Sequence, residues 1–150
     1  MPQATPQDAP QRTTTVRATH RYDAPPERVF DAWLDPAIAA KFFFATPTGQ
    51  MIRAETDPRV GGAFVFVDRR PDMGDVEHVG TFLAIDRPRR LVFEFAVPAY
   101  EPTRTKITLD FAPSGAGTAL TLTHEGVFES YLKQTEHGWG MILGALEKAL

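Results

Sequence analysis

The chain has 150 residues, 43% of them apolar and 23% charged, with a formal net charge of -3. That length fits a single domain able to bury roughly 70% of its unfolded surface, enough for a real core. The mildly acidic balance offers no basic stripe for nucleic acid. The absence of cysteine removes disulfides, thiolate metal sites and cysteine nucleophiles.

Residues 1–11 carry Pro-Gln at positions 2, 6 and 10. Nothing there can anchor in a core, so a disordered tail is expected, followed by one domain over 12–150. The tail lacks the basic-then-apolar pattern of a secretory signal. No apolar run reaches the roughly 18 residues a bilayer demands. The expectation is therefore a cytoplasmic protein with no membrane contact.

Thr13 to Tyr22 is rich in Thr and Val and alternates, which predicts a first strand. Pro25-Pro26 stops it, since proline cannot donate to a ladder. Pro26 suits the first position of a helix, with Glu27 favourable against the helix dipole. Val29, Phe30, Trp33 and Leu34 then fall on one helical face. Asp35-Pro36 ends that helix and opens a second one, Asp35 as cap and Pro36 as first residue. Phe42, Phe43 and Phe44 follow. Three consecutive aromatics are not expected to face one core, so at least one lines a cavity rim or meets a partner subunit, or all pack simply under the loop.

From Gln50 the period changes to two. Strands are predicted at about 50–57, 63–68, 76–86, 90–97, 103–112 and 117–125, separated by Pro and Gly punctuation. The short connections imply antiparallel neighbours. Leu91, Phe93 and Phe95 alternate with Val92 and Glu94, leaving one apolar face and one wet one. At Phe82 and Leu83 the phase is ambiguous, because a bulge there would swap which of them faces in. Leu132, Trp139, Ile142, Leu143, Leu146 and Leu150 make the stripe of a closing helix that must cover the sheet.

The order strand, helix, helix, six strands, long helix resembles the helix-grip, START-like (SRPBCC) domains. Five local motifs narrow the resemblance: APPERVFDAWLDP at 24–36, RVGGAFVFV at 59–67, HVGTFLAIDRPRRLVFEF at 78–95, GTALTLTHEG at 117–126, and Gly138-Trp139. Together they are similar to the heat-shock-protein-90 ATPase activator homologue family. That resemblance implies an α+β fold: a curved antiparallel sheet of about seven strands wrapped around a long C-terminal helix, with a cavity between them. It does not imply one function, because fold alone does not carry function. Relatives include co-chaperones, hydrophobic-ligand binders, antibiotic self-resistance proteins and, further off, polyketide cyclases.

Candidate site residues come from phase and chemistry. Phe64, Phe66, Phe93 and Phe95 lie in phase on neighbouring strand patterns, with Trp139 projecting toward them. Trp33, Phe44, Phe82 and Leu143 join as further walls, and His78 and Tyr100 as polar contacts. His78 shares phase with Gly80 and Phe82, so it either orients a ligand or acts as a base, or else sits at a strand end in water. His124, in phase with Leu120 and Leu122, is expected near the pocket mouth, and His137 on the surface. Gly138, Gly140 and Gly144 interrupt the last helix at roughly 1 kcal/mol each against alanine. Either another backbone approaches closely or space is left for a guest, and close packing is the expectation. The charges Asp68, Arg69, Arg70, Asp72, Asp75 and Glu77 read as one solvated hairpin.

No histidine pair has the i, i+4 spacing of a helical metal site, and no nucleophile elbow, phosphate-cradling loop or dinucleotide fingerprint is present. No cofactor is expected. The leading expectation is a non-enzymatic, or only weakly catalytic, binder of a hydrophobic or aromatic small molecule. The alternatives are a co-chaperone-like module, with a chaperone or homodimer partner, and a cyclase-like enzyme using a polar group in the cavity.

Overall fold

The computed structural model describes residues 12–150; the expected disordered tail at 1–11 lies outside the described residues. Seven strands form one antiparallel sheet: β1 (Thr13–Tyr22), β2 (Gln50–Thr56), β3 (Ala63–Arg70), β4 (Gly74–Asp86), β5 (Arg90–Val97), β6 (Glu101–Ser114) and β7 (Gly117–Phe128). Their order is β1-β7-β6-β5-β4-β3-β2. Only the β1–β7 pairing joins strands distant in sequence; the rest is a meander whose short turns fix the antiparallel sense.

Two short helices, α1 (Pro26–Ala32) and α2 (Pro36–Ala39), bridge β1 to β2. Asp35 caps α2, its carboxylate accepting from the Ala37 amide at 3.0 Å. A 3-10 turn (Glu129–Tyr131) leads into α3 (Leu132–Ala149). Trp139, Ile142, Leu143 and Leu146 of α3 are buried against the sheet, at the helical spacing of the sequence stripe. A buried hydrogen bond helps to hold the helix in place: the Tyr22 hydroxyl donates to the Leu143 carbonyl at 2.8 Å. This is the helix-grip arrangement, α+β, with the sheet curved around its last helix.

Three local features depart from simple alternation. The ladder slips between Phe82 and Ala84, so Phe82 stays inside while Leu83 is extruded to 43% exposure. Phe42, Phe43 and Phe44 all face one core. Phe44 does so with a φ of 60°, the left-handed region, which reverses the chain and turns the third ring inward. The charged hairpin is not uniformly solvated, since Asp68 is fully buried.

Candidate functional site

The concave face of the sheet divides into a filled end and an open end. Under α1 and α2, Trp33 packs edge-on against Phe42 and Phe43, with ring centroids 5.0 and 5.3 Å apart. Phe43 in turn meets Phe64, Phe66 and Phe93. Phe82 and Phe93 complete this aromatic block. Rings in contact at these distances pack as core. Trp33, Phe64, Phe66, Phe82 and Phe93, expected as cavity walls, therefore belong to solid core, as does Leu143 farther along α3; none of the six borders the cavity. Alternation correctly places them on the inner face but says nothing of where along the curved sheet the filling stops.

It stops at Phe44. Its ring stacks on Phe43 at 4.1 Å, and on the other side lies against His78 at 4.1 Å, nearly parallel. Beyond this partition a cavity of about 900 Å³, partly open to solvent, lies between the N-terminal half of α3 and strands β4 to β7. Phe44, His78, Phe95, Tyr100 and Trp139 of the expected set border it. Phe44, Phe95 and Trp139 form its aromatic wall, with Phe95 5.0 Å from Phe44 and 6.1 Å from Trp139. Tyr100, 57% exposed, stands at the rim with Met73, Tyr131 and Met141.

Two buried histidines stand in the wall, and Arg70, Glu101, Arg104, Gln134 and several threonines also border the cavity. His78 is buried and its Nδ1 lies 3.3 Å from the Phe66 carbonyl. Burial pushes its pKa from 6.5 down to about 4, against the opposing pull of the Phe66 carbonyl. His124, also buried, is held from two sides: the Trp139 indole N–H donates to Nδ1 at 2.9 Å, and Nε2 lies 2.7 Å from the Thr105 hydroxyl. Burial lowers its pKa to about 4 as well. Both imidazoles are neutral at physiological pH. A neutral imidazole with a pKa near 4 orients hydrogen bonds better than it removes protons.

One support was hidden in the sequence. The Asp68 carboxylate accepts from the Thr46 hydroxyl at 2.8 Å and from Arg70 Nε at 3.0 Å. Arg70 reaches on to the Phe44 carbonyl, a long 3.4 Å contact. This buried carboxylate thus pins the segment that carries the Phe44 partition. Thr46 and Arg70 themselves border the cavity. The surrounding run of alternating charges disguised them, because only the fold reveals which side of β3 is covered.

The glycines of α3 also differ from expectation. A Cβ built at Gly138, Gly140 or Gly144 would meet nothing within 4 Å. No backbone approaches there, and Gly138 borders the cavity. The missing side chain at 138 widens the cavity.

Among the described residues no group of three His, Asp or Glu side chains is placed to hold a metal ion. No described helix is long and apolar enough to cross a membrane.

Residues 23–150 match the family model described as Activator of Hsp90 ATPase homolog 1-like protein. The chain belongs to this family. Among solved structures it is similar to protein CV1439 from Chromobacterium violaceum, at 28% identity and a TM-score of 0.80 over 89% of this chain and 94% of that one. It is also similar to Mll3558 from Rhizobium loti, at 27% identity and a TM-score of 0.78, covering 95% of this chain and 100% of that one. CalU16 from Micromonospora echinospora shares 28% identity with a TM-score of 0.69, over 91% of this chain and 76% of that one. None of the curated proteins compared matches the sequence. In this Activator of Hsp90 ATPase homolog 1-like domain, Phe44 divides the aromatic core from the cavity.

Proposed function

We propose that this domain binds a hydrophobic or aromatic small molecule in the cavity between the sheet and the N-terminal half of α3. Phe44, Phe95 and Trp139 supply flat apolar walls; His78, Thr105 and Tyr100 supply polar contacts. The observation that carries the reading is the cavity of about 900 Å³ bounded by these side chains, within the 300–1,000 Å³ typical of small-molecule sites. Its composition supports the reading too: most of the wall surface is apolar, and the polar groups that interrupt it can orient a guest.

A co-chaperone-like module would work through its outer surface and has no use for an open interior. A cyclase-like enzyme would need a cavity base; burial lowers the basicity of both histidines, which leaves the Glu101 carboxylate at the cavity border as the other candidate.

The test is titration with N-phenyl-1-naphthylamine, a neutral fluorophore that brightens in apolar surroundings. Saturable 1:1 brightening with quenching of Trp139 is the expected result. Absence of saturable binding, together with stimulation of a chaperone ATPase by the domain, would favour the co-chaperone reading instead.

A further inference from the structure

The two buried histidines can be assigned tautomers from the partners they face. A tryptophan indole nitrogen can only donate, so His124 Nδ1, 2.9 Å from Trp139 Nε1, must accept. Its proton therefore sits on Nε2 and is donated to the Thr105 hydroxyl oxygen at 2.7 Å. The reverse direction would leave both ring nitrogens bare, an anionic imidazolate that neutral water does not support. Thr105, having accepted, keeps its own hydroxyl hydrogen free. That hydroxyl has no other partner among the described residues, and Thr105 borders the cavity.

At His78 the logic runs the other way. A backbone carbonyl can only accept, so Nδ1, 3.3 Å from the Phe66 oxygen, carries the proton. The Val76 carbonyl also lies near the ring, but the described residues form no hydrogen bond to Nε2, which keeps a bare lone pair. The plane of its ring is fixed by the stack on Phe44. His78 and His124 thus hold opposite tautomers, with the Phe44 and Phe95 rings between them.

We propose that the cavity selects a neutral, flat ligand bearing both a hydrogen-bond donor and a hydrogen-bond acceptor. The ligand's donor meets His78 Nε2, and its acceptor takes the Thr105 hydroxyl. Aryl ketones carrying a separate hydroxyl are the chemical class that fits. This deepens the small-molecule reading and rests on it. Each fixed partner rejects a ligand group of the wrong sense, because a buried donor or acceptor left unmade costs more than the bond returns when made. His124 is a positioning residue here: it acts through Thr105, and Trp139 fixes it.

The experiment has two arms. Long-range proton–nitrogen NMR on the uniformly nitrogen-15-labelled full chain reads both tautomers without any ligand. The expected result is Nδ1–H at His78 and Nε2–H at His124; the same tautomer at both sites, or rapid exchange at either, overturns the proposal. The second arm measures affinity for 6-acetyl-2-naphthol, 2-acetylnaphthalene and naphthalene. The bifunctional probe is expected to bind about tenfold tighter than the ketone, and the ketone about tenfold tighter than the hydrocarbon. Thr105→Val should erase the ketone's advantage, and Thr105→Ser should restore it. Equal binding of all three probes overturns the donor–acceptor assignment while leaving cavity binding intact. Failure of all three to bind overturns the binding reading, and this proposal with it, whatever the tautomers.

Discussion

Gly138 offers a sharp perturbation. A glycine in mid-helix is about 1 kcal/mol less favourable than alanine, and it is usually retained where another backbone crowds the position. Here an added Cβ would have no neighbour within 4 Å. Gly138→Ala therefore meets no clash and should recover nearly the whole propensity term, about 1 kcal/mol. For a domain of this size that raises the melting temperature by about 2–4 °C. Gly138→Leu extends the same vector into the cavity beside Trp139. It should fold at least as stably as the parent, while probe affinity drops by at least about tenfold, the scale set by a lost contact worth about 1.4 kcal/mol. Thermal unfolding followed by circular dichroism and titration with N-phenyl-1-naphthylamine read the two effects separately. A lower melting temperature for Gly138→Ala would mean that something does approach the helix there. Unchanged probe binding in a folded Gly138→Leu protein would mean the guest sits elsewhere.

Acid should destabilise the fold through its buried histidines. With folded-state pKa values near 4, against 6.5 when unfolded, the unfolded chain binds more protons between those limits. Stability is then full above pH 6.5 and falls toward pH 4, by roughly 3 kcal/mol for each histidine; urea denaturation across that range should show the loss, and a flat profile would contradict it. Asp68→Ala strands Arg70 and Thr46, so a loss of about 3 kcal/mol is expected in chemical denaturation; a loss within about 0.5 kcal/mol, the range of an ordinary surface change, would show that the carboxylate does not pin the Phe44 segment. Tyr22→Phe removes the bond to the Leu143 carbonyl and should cost about 1 kcal/mol, measured the same way; no change would mean that this bond does nothing to hold the helix.

The fold was largely legible in the sequence because its signals are local and agree with one another. Period-two runs such as Leu91-Phe93-Phe95, Pro26 and Asp35 at helix starts, and the α3 stripe each point to one element. The site was half legible. Alternation reports which face a side chain takes, and so identified Phe95 and His78 together with Phe64 and Phe93. It cannot report that the first pair borders a void and the second pair a solid block, since that depends on how far α1 and α2 reach across the sheet. The Phe44 turn is not legible, because a left-handed φ at an aromatic residue leaves no compositional trace. Asp68 and Arg70 were hidden among like neighbours in a charged run. The paired bonds to His124 exist only once α3 is laid against β6 and β7.

Native mass spectrometry of the full chain, incubated with a mixed set of neutral hydroxyaryl ketones, asks the central question most directly. The account predicts 1:1 adducts that vanish in a folded Gly138→Leu variant. A bare chain mass at every ligand concentration, with the parent protein folded, would contradict it.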